Sequence, residues 1–366
     1  YNLMKNISNL NNLKVLKFVN QNFNSKWYEF LVSYSMYTMR YDLDYHNVEK
    51  SQSFNKYLDL SFIILNNDEP LAIIPFVLDL NNLHAWYREG HFMPAPLINE
   101  NLSPKQINVL ENLIFEEVQK IISKYKITRW YIAADSLSFK KFNYFDLLPD
   151  KFLSTDMSFY NRIIDLDYDP SAIWKQIRKS YRNIITQGLR YFSFEIYDHT
   201  NFDGDPKKTY MKLHRKCSKK ITRPDISYDL MNKLISNKKG LLFVQKIRDQ
   251  IVQKEIVILG KKTAIGASMA DEPEYKSDLP LTHTLNYIIY KELQKRKFKF
   301  FEVGLTDYND SLFKITSQKE KKISFFKRGF GNKNKIFRRW VYFISKNEEL
   351  KFYKEKLNEF SLNNNL

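Results

Sequence analysis

Three apolar segments follow one another almost without interruption, at 241–248, 251–259 and 263–270. Each is short, and the breaks fall at Arg248-Asp249-Gln250 and Gly260-Lys261-Lys262. They predict an antiparallel meander, and no other feature limits the fold as strongly. Helical spacing surrounds it. The pattern predicts a helix over 171–189, a strand over 191–197, and helices over 206–220 and 227–236. After the meander come a helix over 281–296, a strand over 298–303 and a short helix near 309–315. Strands over 323–327 and 336–345 and a closing helix complete the order. This succession predicts a layered α/β domain.

The first half reads as a sparser version of the same order. A strand at 14–18 and a helix near 25–34 precede two strands, 58–65 and 71–78, joined by the turn Asn66-Asn67-Asp68-Glu69. Ser103 and Pro104 then open a helix that runs to about Lys124, with Ile107, Leu110, Ile114 and Val118 at helical spacing. A buried strand follows at 127–133. The length of 366 residues suits two domains, placed at 1–160 and 161–366.

Charge separates the two halves. The formal net charge is +17, yet residues 1–150 hold 15 basic and 16 acidic side chains. Residues 151–366 hold 43 and 25. Within them, 174–223 carries 13 basic against 4 acidic, and 314–339 carries 10 against 1. Two concentrated blocks point to a polyanion: nucleic acid, nucleotide phosphate or anionic lipid. The richness in Asn, Lys, Ile and Phe is also the habit of an AT-rich genome, which supplies lysine without any such partner.

Several classes are disfavoured. The longest apolar run, near 72–78, contains Pro75 and falls far short of the ~20 residues that cross a bilayer. The chain reads as cytoplasmic, with a basic face able to visit the inner membrane surface. One cysteine, Cys217, leaves no internal disulfide and suits a reducing compartment. Gly260-Lys261-Lys262-Thr263 has Glu255 where a phosphate-binding loop needs its first glycine. The six histidines lack metal-ligand spacing, so neither a metal nor a bound cofactor is expected.

Three stretches carry candidate chemistry. In the helix expected over 171–189, Lys175, Arg178, Lys179 and Arg182 share one face, either solvated or set against phosphates. Arg215 lies near the end of the next basic helix, and Arg223-Pro224-Asp225 forms a rigid turn in which Asp225 can cap. Phe325-Phe326-Lys327-Arg328-Gly329-Phe330-Gly331 is the sharpest. Lys327 is expected at a strand end before a glycine turn with free N–H groups, placed to stabilise an oxyanion or a phosphate.

Four motifs occur in one order: Trp174-x-x-Ile-Arg-Lys-x-x-Arg-Asn, Leu213-His214-Arg215 with Thr222-Arg223-Pro224, Phe301-Glu302-Val303-Gly304, and Phe326-Lys327-Arg328-Gly329-Phe330-Gly331. In this the chain resembles the FemAB-like proteins, the peptidoglycan bridge-forming aminoacyltransferases, and their acetyltransferase relatives, over about 160–331. The resemblance implies two tandem GNAT-like domains, of the acyl-CoA N-acyltransferase fold. It implies transfer of an acyl or aminoacyl group to an amine of a cell-envelope glycan precursor, the acceptor being a nucleotide-linked or lipid-linked sugar. It also implies Phe326 and Lys327 at the active centre, with Arg178, Arg182, Arg215 and Arg223 holding phosphates. Asp307 and Tyr308, just after Gly304, are expected to line the acceptor pocket. The coiled-coil insertion of the family's staphylococcal tRNA-using branch is absent, because no heptad segment is visible.

The donor is less defined. CoA-using enzymes of this fold place a glycine-rich pyrophosphate loop after their fourth strand, whereas this chain reads Asp271-Glu272-Pro273-Glu274-Tyr275. That acidic run disfavours acyl-CoA and favours aminoacyl-tRNA or an acyl carrier protein as donor. The reading from another class is a non-catalytic GNAT-like module that binds RNA, acyl carrier protein or anionic membrane through its basic half.

Overall fold

The computed structural model describes residues 10, 12–88, 90–134, 137, 153–202, 205–275, 281–306, 317–331 and 333–364. It is mixed α/β and groups into two compact units. Neither unit is one continuous stretch, so a single cut near 160 does not describe them. Residues 36–54 group with the second unit, and residues 338–366 with the first.

The first unit holds two sheets. Leu13–Lys17, Phe62–Asn66, Glu69–Ile74 and Leu97–Ile98 make a four-stranded antiparallel sheet in that order. The tight turn inside it falls where the sequence put it, with Asn67 and Asp68 both left-handed at φ 49° and 68°. In the other sheet the 338–343 part of the strand Lys333–Phe343 pairs with Leu153–Asp156 and with Arg129–Ala134. The helix Pro104–Tyr125 covers these strands. Its start is fixed by a capping box between Ser103 and Gln106, and Leu110, Ile114, Val118 and Ile122 point into the core.

The second unit is one sheet covered on both faces. Its strand order is Ser193–Tyr197, Gly240–Ile247, Gln250–Leu259, Thr263–Asp271, Phe300–Leu305, Phe159–Asp165 and the 333–337 part of Lys333–Phe343. The expected meander is present, each neighbour antiparallel. Alternation then sorts the side chains. Leu241, Phe243 and Val257 face the helices Lys179–Tyr191 and Leu281–Lys295 through Ile185, Leu285, Ile289 and Leu293. Leu242, Val244, Ile256 and Ile258 face the helices Asp205–Ser218 and Asp225–Ser236 through Tyr210, Met231 and Ile235. The helix Leu43–Ser51 adds Val48 to this second layer.

One feature of the sheet shapes the site. Thr263–Asp271 and Phe300–Leu305 run parallel, but among the described residues they pair only over Thr263↔Phe300, Ala264↔Phe301 and Ile265↔Glu302. Beyond that point both strands continue without pairing to each other.

Three expectations are corrected. The segment 323–327 is not a strand but the end of the helix Gln318–Lys327. Ile323, Phe325 and Phe326 have strand-like propensity, but the Ser317/Glu320 capping box upstream nucleates a helix that carries them. The helix expected over 171–189 is broken into Pro170–Gln176 and Lys179–Tyr191. Ile177 and Arg178 are extended there, and the Arg178 amide donates to the Gly329 carbonyl at 2.9 Å instead of continuing the helix. Asp225 is the first helical residue rather than a side-chain cap; Pro224 occupies the cap position. The helix expected near 309–315 lies outside the described residues. No helix among the described residues is long and apolar enough to cross a membrane.

Candidate active site

Lys327 ends the helix Gln318–Lys327, and that helix is anchored to the end of the strand Phe300–Leu305. The buried Ser324 hydroxyl donates to the carbonyl of Thr306, which itself donates from its amide to Tyr160 at 2.8 Å. So held, the Lys327 side chain lies over Gly304. Its Nζ is 2.9 Å from the point where a Cβ at residue 304 would sit, and Gly304 adopts φ +101°. Only glycine suits both the backbone and the close approach.

The turn after Lys327 works differently from the expectation. Its N–H groups close the turn: Arg328 and Gly329 donate to Ser324 and Phe326. The carbonyls are what it presents, and the buried Arg162 guanidinium collects them. It donates to Arg328 O at 2.8 Å, to Phe330 O at 2.7 Å and to Gly331 O, with a further bond to Asn334 Oδ1 at 2.9 Å. Arg162 therefore fixes the segment that carries Lys327.

Two carboxylates face this lysine. Glu302, two residues before Gly304, is 3% exposed. Arg40 grips it with two bonds, 2.9 Å and 2.7 Å, and Asn161 Nδ2 donates to it at 2.9 Å. Glu255, on the strand Gln250–Leu259, is 7% exposed, and its carboxyl occupies the space a Cβ on Gly266 would need. Its environment differs. Burial first, and then the neighbouring Asp271, push the Glu255 carboxyl up to about 8, while Lys327 pulls the other way. Burial correspondingly holds the Lys327 ammonium below the ordinary lysine range, against the pull of Glu302 and Glu255. Among the described residues, Oε2 of Glu255 and Oδ1 of Asn161 are buried with no hydrogen-bond partner.

An aromatic wall flanks the lysine. Phe326 packs on Tyr181, His283 and Phe330, with centroid separations of 5.9, 4.8 and 5.2 Å. Arg178 stacks on Phe325 at 4.0 Å and on Tyr181 at 4.9 Å, and donates to the Tyr181 hydroxyl at 3.2 Å. Burial, and then the Arg178 charge, lower the His283 imidazole to about 4, so it is neutral near pH 7.

Of the residues singled out by sequence, Arg178, Phe326 and Lys327 converge on this site. Arg182 lies one turn beyond Arg178, half-buried. Arg215 and Arg223 belong to the other helical layer. Arg215 forms an ion pair with Asp225, and Arg223 stacks over Tyr228 at 5.6 Å. Tyr228 in turn bonds His214 Nδ1 at 3.0 Å, and Tyr210 donates to Ser268 on the strand Thr263–Asp271. Asp307 and Tyr308 lie outside the described residues. In the acidic run, Glu272 and Glu274 pair with Lys216 at 2.6 and 3.0 Å. Sequence reasoning missed Arg40, Asn161, Arg162, Glu255 and His283. Glu302 stood inside a recognised motif without a role.

The same arrangement of strands and helices occurs in known structures. FemX is similar over 89% of this chain and 96% of its own, with a TM-score of 0.64 at 10% identity. L-PGS from Bacillus licheniformis is similar over 92% and 95%, with 0.58 at 12%. A tandem GNAT protein from the clavulanic acid biosynthesis pathway is similar over 90% and 98%, with 0.52 at 10%. The fold is a tandem GNAT-like one. FemX shares it, as the FemAB-like motifs led one to expect. No protein-family profile matches the chain, and no curated protein is significantly similar in sequence.

Proposed function

We propose that this protein is an N-acyl- or aminoacyltransferase that modifies an amine of a cell-envelope precursor. The observation that carries the reading is the Lys327 ammonium, desolvated over Gly304 where two parallel strands part, with Glu302 and Glu255 beside it. A cation held in a water-poor site stabilises negative charge developing on a carbonyl oxygen far better than one in water. The acceptor amine attacks the donor carbonyl directly, the oxyanion forms against Lys327, and Phe326 with its aromatic neighbours forms the wall. Arg178 and Arg182 supply cations for donor or acceptor phosphates, and Arg215 and Arg223 supply them from the second layer.

The fold shared with FemX and L-PGS supports acyl transfer in envelope synthesis. The basic blocks suit aminoacyl-tRNA or an acyl carrier protein as donor, and a nucleotide-linked or lipid-linked amino sugar as acceptor. A lipid-linked acceptor would bring the basic face to the inner membrane surface.

The test is radiolabel transfer. The protein is incubated with total tRNA charged with 14C-amino acids, with a carrier protein bearing a 14C-acyl chain, or with 14C-acetyl-CoA, each with a UDP-linked amino sugar and with lipid-linked disaccharide-peptide. An alkali-stable amide product is expected from one donor. No product from any of them, together with unchanged RNA or vesicle binding in Lys327→Ala, would favour the non-catalytic module instead.

A further inference from the structure

The Lys327 site has a cation for the oxyanion, but direct attack by an amine also requires somewhere for a proton to go. An amine nitrogen that becomes an amide must lose a proton, and a water-poor site does not supply bulk water to receive it. Among the buried groups around Lys327, Glu302 cannot serve well. Both its oxygens are taken by Arg40, and Asn161 adds a third bond. Asp271 accepts from Gln253 Nε2 at 2.6 Å.

Glu255 is different in kind. It is more than nine-tenths buried, its Oε2 has no hydrogen-bond donor among the described residues, and the missing Cβ of Gly266 makes the room it occupies. A buried carboxyl without a donor costs stability. The strand Thr263–Asp271, which holds Gly266, is the one that parts from Phe300–Leu305 just there. Among the described residues, the titratable groups that interact with Glu255 are Asp271 from the adjacent strand, Lys327 from the helix Gln318–Lys327, Tyr210 from Asp205–Ser218 and Tyr290 from Leu281–Lys295. Burial and Asp271 favour a proton on Glu255, and Lys327 opposes it, so the carboxyl is balanced near neutrality.

Resting on the acyltransferase reading, we propose that Glu255 is the proton acceptor for the attacking amine, a catalytic residue paired with Lys327. The step balances. The amine nitrogen bonds to the carbonyl carbon, the C=O π pair moves onto the oxygen beside Lys327, and the N–H proton passes to Glu255. Collapse re-forms the carbonyl and breaks the bond to the donor's oxygen or sulfur, which receives the proton from Glu255. Asn161 Oδ1 is a second buried acceptor without a hydrogen-bond partner among the described residues.

The test uses the donor and acceptor that give product in the radiolabel assay, at saturation, from pH 5.5 to 9.5, with wild type and Glu255→Gln side by side. The acceptor's own titration is common to both and cancels in their rate ratio. The expected ratio rises to about 100-fold with a midpoint near pH 8. In protein labelled with [δ-13C]glutamate, the carboxyl resonance missing from Glu255→Gln should titrate at that midpoint. Glu255→Asp should be slower but keep the pH-dependent ratio. A variant within threefold of wild type at every pH, or a ratio constant with pH, overturns the assignment. If Lys327→Ala abolishes transfer while Glu255→Gln does not, only the proton acceptor is lost. If wild type transfers nothing, the reading beneath it falls as well.

Discussion

Asp79 in the first unit and Glu255 in the second are both buried carboxyls, 0% and 7% exposed, and their surroundings treat them in opposite ways. Burial raises the Asp79 carboxyl, but donors from Trp86, Asn81, Asn82 and Asn55 outweigh it and hold the group below its ordinary value. Burial raises Glu255 too, and there no donor among the described residues answers its Oε2. The first arrangement is one that a structural carboxylate reaches: both oxygens bonded, the charge kept, the loop around 79–86 pinned. The second spends stability to keep a carboxyl available. The comparison teaches that burial alone does not mark a functional acid. An unanswered oxygen beside a desolvated lysine is what sets Glu255 apart.

The comparison can be broken from either end, and the largest effect belongs to Asp79. Asp79→Ala leaves the Asn55, Asn82 and Trp86 donors without their acceptor and should cost roughly 2–4 kcal/mol. Thermal unfolding should show this as a drop of about 5 °C or more, with transfer per folded molecule unchanged. Next is Gly304→Ala, which forces a side chain into φ +101° and onto the Lys327 amine. Transfer should fall about tenfold to a hundredfold, worth ~1.4–2.7 kcal/mol, and the strained backbone should lower the melting temperature as well, by less than Asp79→Ala does.

Glu255→Gln sharpens the contrast, because its sign is reversed. The folded protein keeps the Glu255 proton up to about pH 8, whereas the unfolded chain releases it near the ordinary 4.5. Wild-type stability from this group is thus intact below pH 4.5 and is lost as pH rises toward 8. Glu255→Gln removes that loss, so its melting temperature should exceed wild type by a margin that grows from pH 5 to pH 8. A margin independent of pH would mean that Glu255 is not held protonated. His283 gives the smallest and opposite slope. Its imidazole falls from 6.5 to about 4, so its contribution is present above pH 6.5 and lost as pH falls through 4. His283→Phe should unfold less readily between pH 6 and 4, by a degree or two in a melting scan.

Much of the fold was legible because it is written locally. The meander, the Ser103 cap and the Asn67-Asp68 turn all follow from residues a few positions apart. The helix Gln318–Lys327 was misread because Ile323, Phe325 and Phe326 favour a strand, while the deciding signal was the Ser317/Glu320 capping pair at the helix start. Phe326 and Lys327 were legible through their motif. Glu255 was not, because it closes the polar run Gln253-Lys254-Glu255, which reads as an exposed stretch of strand. Here both faces of the sheet are covered, so the polar positions are buried. Arg40 was equally hidden: its partner Glu302 lies 262 residues away, a pairing that only tertiary structure makes.

The most direct test of the whole account is the transfer rate of Lys327→Ala on purified donor and acceptor, measured on protein whose melting temperature matches wild type. Loss of one oxyanion-stabilising group should lower kcat by about 10²–10³ with little change in KM. A kcat within a few-fold of wild type would contradict the claim that Lys327 sits at the centre of the chemistry.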